Sequence, residues 1–133
     1  MILFTWDDKY SVKNEDFDNH HKVLIDIFNR MYGHHLCKGD SSYLDPIIEE
    51  LVSYSLYHFL LEEQHMRDIG YKEVDSHIND HRGFTLGAIQ LRKDVKNDDR
   101  EATKDLIEFL GKWLLNHIVI EDKKYSIQSS WRF

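Results

Sequence analysis

The sequence predicts an all-α fold, an up-down-up-down four-helix bundle with an extended amino-terminal arm. Three observations carry that expectation. Apolar residues recur at three- and four-residue steps along four stretches of roughly twenty residues. One proline and few glycines leave those stretches unbroken. Polar turns at 39–42, around Gly70 and at 96–101 leave only short connections between them.

Each element follows from its own residues. In 1–17, Phe4, Trp6, Tyr10 and Val12 stand among polar residues without a helical period. That reads as an arm whose aromatics cover one side of a core. The first helix is expected from Asp18 to Cys37, capped by Asp18 or Asn19. His21, Leu24, Ile25, Phe28, Met31, Tyr32 and His35 form its inward stripe, with adjacent His20 off it. The second is expected from an Asp45 cap, with Pro46 in the first helical position, to about Ile69. Its face carries Ile48, Leu51, Ser55, His58, Glu62, then His65 or Met66, and Ile69, and Gly70 is placed to stop it. Glu63 and Gln64 lie off that face and are expected in solvent. The third is expected after an Asp75 cap, with His77, His81, Phe84, Ala88, Leu91 and Val95 along one seam. Asp98 or Asp99 can cap the fourth, which carries Leu106, Leu110, Trp113 and His117 inward. Trp131 and Phe133 in the tail are expected to pack back.

Composition narrows the function. The 133 residues fit one domain, 1–133, divided into an arm (1–17), a bundle (18–125) and a short tail (126–133). The chain is 41% hydrophobic and 31% charged, ordinary for a globular protein. A net charge of −7 argues against nucleic acid, whose binders need a basic patch. No apolar run approaches the ~18 residues of a membrane span. The first residues lack the basic and apolar regions of a signal peptide. Cys37 is the single cysteine; it forbids an intrachain disulfide, fits a reducing, cytoplasmic compartment, and reads as a structural thiol. Nine histidines in so short a chain are a surplus, and metal ligation is the commonest reason for one.

The spacing of those histidines gives the chemistry. His58 and Glu62 are four residues apart, as are His77 and His81, so each pair projects from one helix face toward one point. A single such pair on a soluble helix is usually a surface or hydrogen-bonded pair. His21 and His117 on other apolar faces change the balance, because an unpartnered polar group there is costly. The partner of His117 stays open at this point. Glu121, four residues on, shares its face on a regular helix, whereas Asp122, five on, does so only if the turn widens to a π-type one. Counting Asp122, the inward polar set is His21, His58, Glu62, His77, His81, His117 and Asp122. Five imidazoles and two carboxylates exceed what one tetrahedral zinc needs and suit two six-coordinate ions with bridging carboxylates. Imidazole and carboxylate favour iron, manganese, cobalt or zinc over calcium or magnesium.

Four segments and the aromatic arm then resemble the hemerythrin family, in particular its single-domain bacterial members. They are DNHHK at 18–22, YHFLLEEQHM at 57–66, HINDH at 77–81 and WLLNHIVIED at 113–122. The resemblance implies two irons (Fe²⁺/Fe³⁺) with an oxo or hydroxo bridge. His77, His81 and His117 would hold one; His21 and His58 would hold the other and leave a position for dioxygen. Glu62 and Asp122 would bridge, so the resemblance selects Asp122 over Glu121. It also gives His20 a supporting or exposed place and His34, His35 and His65 no ligand role. The function it implies is reversible dioxygen binding as a carrier, a store or a local supplier to an oxygen-using partner protein, without catalysis. The alternatives are a di-iron oxidase or peroxidase, with Tyr54 or His20 as proton donor, or an oxygen or iron sensor.

Overall fold

The computed structural model describes residues 4–36 and 44–125. Four helices form: α1 over Glu15–Leu36, α2 over Leu44–Asp68, α3 over Val74–Lys96 and α4 over Arg100–Asn116. Each packs on the next in sequence and α1 closes onto α4, giving the up-down-up-down bundle, with no strand among the described residues. The inward stripes fuse into one apolar cluster that includes Leu24, Phe28 and Met31 of α1, Ile48 and Leu51 of α2, Phe84 and Leu91 of α3, and Ile107 and Leu110 of α4. Each such side chain contributes about 1.5–3 kcal/mol by leaving water. A second cluster of Val12, Phe17, Met66, Tyr71 and Tyr125 closes the other end.

The arm lies on the bundle as its aromatics imply. Phe4 stacks on Phe28 with ring centroids 5.3 Å apart. Asn29 fixes the Phe4 backbone, accepting from its N–H at 3.0 Å and donating to its carbonyl at 2.7 Å. Trp6, before a 3-10 turn over Asp8–Tyr10, and Tyr10, its last residue, rest half-buried on the same cluster.

The helix boundaries depart from the expected caps, because Asp has other uses. α1 starts at Glu15, not Asp18, and the Asn14 side chain accepts from the Phe17 N–H at 3.1 Å. Asp18 faces backwards instead, accepting from Ser11 Oγ at 2.6 Å and the Val12 N–H at 2.9 Å, and so pins the arm. Asp45 sits inside the first turn of α2 and holds Arg92 at 2.8 Å. Asp75 sits inside the first turn of α3, whose boundary residue Glu73 makes no side-chain cap. Asp99 does cap α4, accepting from the Ala102 N–H at 3.0 Å. Gly70 ends α2 with φ 67°, where the left-handed backbone lets Tyr71 N–H reach back to Met66 O.

The faces hold with small rotations. All six residues of the α3 seam are buried. On α2, Met66 rather than His65 is buried, joined by Phe59. On α4, Ile107 and Leu114 go deepest, and Leu106 and Trp113 pack at the edge. Cys37, the turn at 39–42, Trp131 and Phe133 lie outside the described residues.

Candidate metal centre

Helical spacing brings all seven side chains into one buried cage, each at most 2% exposed. His58 and Glu62 enter from α2, His77 and His81 from α3, His21 from α1, and His117 and Asp122 from the end of α4. Each carboxylate divides its oxygens between two sets of imidazoles. Glu62 Oε1 lies 3.2, 2.9 and 3.2 Å from Nε2 of His77, His81 and His117. Asp122 Oδ1 lies 2.9 Å from Nε2 of His77 and of His117. On the other side Glu62 Oε2 lies 3.2 Å from His58 Nε2 and 3.8 Å from His21 Nε2, and Asp122 Oδ2 lies 2.7 Å from His21 Nε2. Ligand atoms therefore gather in two groups that share both carboxylates. His117 is within reach of both, but its Nε2 faces Oε1 and Oδ1, which puts it with His77 and His81.

The donor set fits metal ions. Nε2 of His21, His58, His81 and His117 and Oδ2 of Asp122 are buried without a hydrogen-bond partner, even where the facing atom is close. Orphaned polar atoms at zero exposure are expensive unless something else satisfies them. Their convergence on shared points is the arrangement of ligands.

Electrostatics agree. Burial alone lowers the His21 imidazole, but contact with Asp122 and Glu62 outweighs it and raises its pKa to about 9. The same competition raises His77 to about 10, and raises His117. His58, where burial wins, falls to about 4. Burial pushes Glu62 upward, yet His58 and His117 hold it well below the carboxylate range. Burial and the Glu62 charge push Asp122 upward, and contacts with His117 and His21 pull it below that range. Two ionised carboxylates at zero exposure demand positive charge, from protons or from metal.

The last turn of α4 solves the five-residue problem. His117–Glu121 is a π-helix, and the Asp122 N–H donates to His117 O, five residues back. The wider turn swings Asp122 onto the His117 face. Glu121 turns outward, with its side chain 25% exposed and 3.2 Å from Lys124 Nζ.

Two supporting residues, Tyr125 and Glu63, were missed or misplaced by the sequence reading, and His20 takes the supporting one of the two places the resemblance gave it. Tyr125, 1% exposed, donates its hydroxyl to Glu62 Oε2 at 3.0 Å. Burial and the two carboxylates push that phenol well above 10. Glu63, expected in solvent, faces His81 Nδ1 at 2.8 Å. His20 lies off the stripe and is still only 9% exposed, its Nδ1 3.0 Å from Nδ1 of His58. Glu63 and His20 meet partners across the bundle, and no local period marks them. Tyr125 falls three residues past Asp122, and that step was the signal available. His65 sits half-buried against the rings of Phe17 and Tyr125. His35 is half-buried near Lys104, and His34 is exposed.

An all-α bundle enclosing five histidines and two shared carboxylates defines a class: a non-heme metal protein with a buried cage suited to a metal centre. Residues 12–126 match the hemerythrin HHE cation binding domain. A bacteriohemerythrin of Clostridium acetobutylicum is 29% identical over 130 residues, covering 92% of this chain and 98% of that protein. One of Pseudomonas aeruginosa is 31% identical over 127 residues, covering 94% and 80%. The crystal structure of wild-type hemerythrin superposes with a TM-score of 0.83 at 27% identity, covering 94% of this chain and 96% of that one. The chain belongs to the hemerythrin family, a family of di-iron oxygen-binding proteins rather than of enzymes. None of its described helices is long and apolar enough to cross a membrane.

Proposed function

We propose that this protein binds dioxygen reversibly at a non-heme di-iron centre, as a carrier, a store or a local supplier to an oxygen-using partner in the cytoplasm. The observation that carries the proposal is the division of the carboxylate oxygens, Oε1 and Oδ1 facing three imidazoles and Oε2 and Oδ2 facing two. On that division His77, His81 and His117 would hold one iron, His21 and His58 would hold the other, and Glu62 and Asp122, each facing both sets, would serve both. The two-histidine side has one imidazole fewer, and would be where dioxygen binds. The irons, when bound, supply the electrons for reversible dioxygen binding.

The chain's own residues do the rest. Phe59, stacked on His81 at 3.9 Å, and Trp113, stacked on His117 at 4.7 Å, fix two ligand rings and exclude water. Ile118, 1% exposed, closes the end of α4 beside His117. Tyr125 holds Glu62 through its hydroxyl. The rings of Tyr54 and Tyr57 pack on His20 rather than reaching a ligand, so neither delivers a proton directly to the cage.

The test is spectral cycling. Reduced protein exposed to dioxygen should develop a visible band that vanishes under argon, over many cycles and with little consumption of an added electron donor. Stoichiometric, irreversible donor oxidation would replace this proposal with an oxidase.

A further inference from the structure

The imidazoles of the cage differ in what stands behind them. A neutral imidazole that ligates through Nε2 carries its proton on Nδ1, and the acceptor facing Nδ1 sets how much electron density the ring gives its metal. His81 Nδ1 faces a carboxylate, Glu63 Oε2, at 2.8 Å; that side chain is 17% exposed. His58 Nδ1 faces another imidazole nitrogen, His20 Nδ1, at 3.0 Å. Only one proton fits between those nitrogens. With His58 donating, His20 accepts on Nδ1 and keeps its own proton on Nε2, so the acceptor behind His58 is uncharged. The rings of Phe17, Tyr54 and Tyr57 pack on His20 and hold it there. Nδ1 of His21 and of His117 is buried with no partner.

We propose that Glu63 and His20 are positioning residues that make the two halves of the cage unequal, a carboxylate strengthening His81 in the three-histidine half and a neutral imidazole orienting His58 without strengthening it in the two-histidine half. The proposal rests on the di-iron reading above. The more weakly donating half holds its ion in the reduced state more readily, which ligand exchange at an open position requires.

Iron release from the reduced protein under argon, driven by a phenanthroline-type ferrous chelator, reads each half separately. Wild type should release iron in two phases, the fast one from the two-histidine half. Glu63→Gln keeps an acceptor but loses the charge, and should accelerate only the slow phase, by about 10-fold. His20→Leu removes the acceptor and should accelerate only the fast phase, by about 10- to 100-fold. His20→Gln keeps a neutral acceptor and should restore wild-type release, and His20→Glu should slow the fast phase. If His20→Leu does not fold, as metal-free melting will reveal, the His20→Glu and His20→Gln pair decides. A single phase in wild type, equal shifts of both phases, no shifts, or a His20→Glu variant that behaves as His20→Gln would each overturn the proposal. No dioxygen enters this experiment. A protein that releases iron as described yet fails to bind dioxygen reversibly would overturn only the functional reading.

Discussion

Asp122 and Glu121 are chemically alike and adjacent, yet the backbone gives them opposite tasks. Asp122 is fully buried and touches imidazoles of both halves, His21 through Oδ2 and His77 and His117 through Oδ1. Glu121 pairs with Lys124 at the surface. Asp122→Ala should therefore weaken both ions together, with metal content falling toward zero rather than toward half. Glu121→Ala should leave metal content near wild type, since exposed pairs contribute about 0–1 kcal/mol. Elemental analysis of the two variants after identical iron loading checks both; loss of only half the metal in Asp122→Ala would end the bridging assignment. Six of the seven side chains drawn together here were legible from helical spacing, because three- and four-residue steps fix a face whatever the tertiary context. Asp122, five residues past His117, was selected over Glu121 only by the family resemblance. Tyr125 and Glu63 were not legible. Their partners, Glu62 and His81, lie 63 and 18 residues away, and a tyrosine or glutamate reads locally as core filler or solvated charge.

At the scale of elements, the π turn at the end of α4 adds one residue so that a five-residue step stays on one face. Deleting Ile120, which is 49% exposed, makes His117 to Asp122 a four-residue step on a regular helix. The carboxylate should still reach the cage, and metal content should stay near wild type. Tyr125 follows Asp122 by the same three residues, so it would keep its face and its hydrogen bond to Glu62, and the melting temperature should stay near wild type. Loss of metal or of stability would mean that the π turn does more than extend reach. The faces of α3 were fully readable because its apolar period is unbroken from His77 to Val95. The caps were not, since an aspartate before a helical pattern can serve as cap, arm anchor or ion-pair partner. Asp99, Asp18 and Asp45 take those roles in turn. Which one wins depends on Ser11 and Arg92, and local sequence does not place them.

The whole molecule is organised around buried charge, and its pH dependence should report that. In the metal-free protein, His21 and His77 have pKa values raised from 6.5 to about 9 and about 10. Their stabilisation is complete below 6.5 and fades as pH rises through 9 to 10. His58 is lowered from 6.5 to about 4, so the unfolded chain takes up that proton first and stability falls as pH drops below 6.5. The metal-free melting temperature should peak near 6.5 and decline on both sides. With metal in place of the protons on His21 and His77, the alkaline decline should flatten. Scanning calorimetry from pH 5 to 10, with and without iron, checks this, and a metal-free melting temperature that rises between pH 7 and 9.5 would contradict it. The central claim, that one cage of seven side chains holds an iron pair for reversible dioxygen binding, is tested most directly by anaerobic dioxygen titration of reduced protein with known iron content. The expected result is two irons per chain and one dioxygen taken up per pair, released again under argon with the reduced spectrum restored. A fully loaded sample with one metal per chain, or uptake that does not reverse, would contradict it.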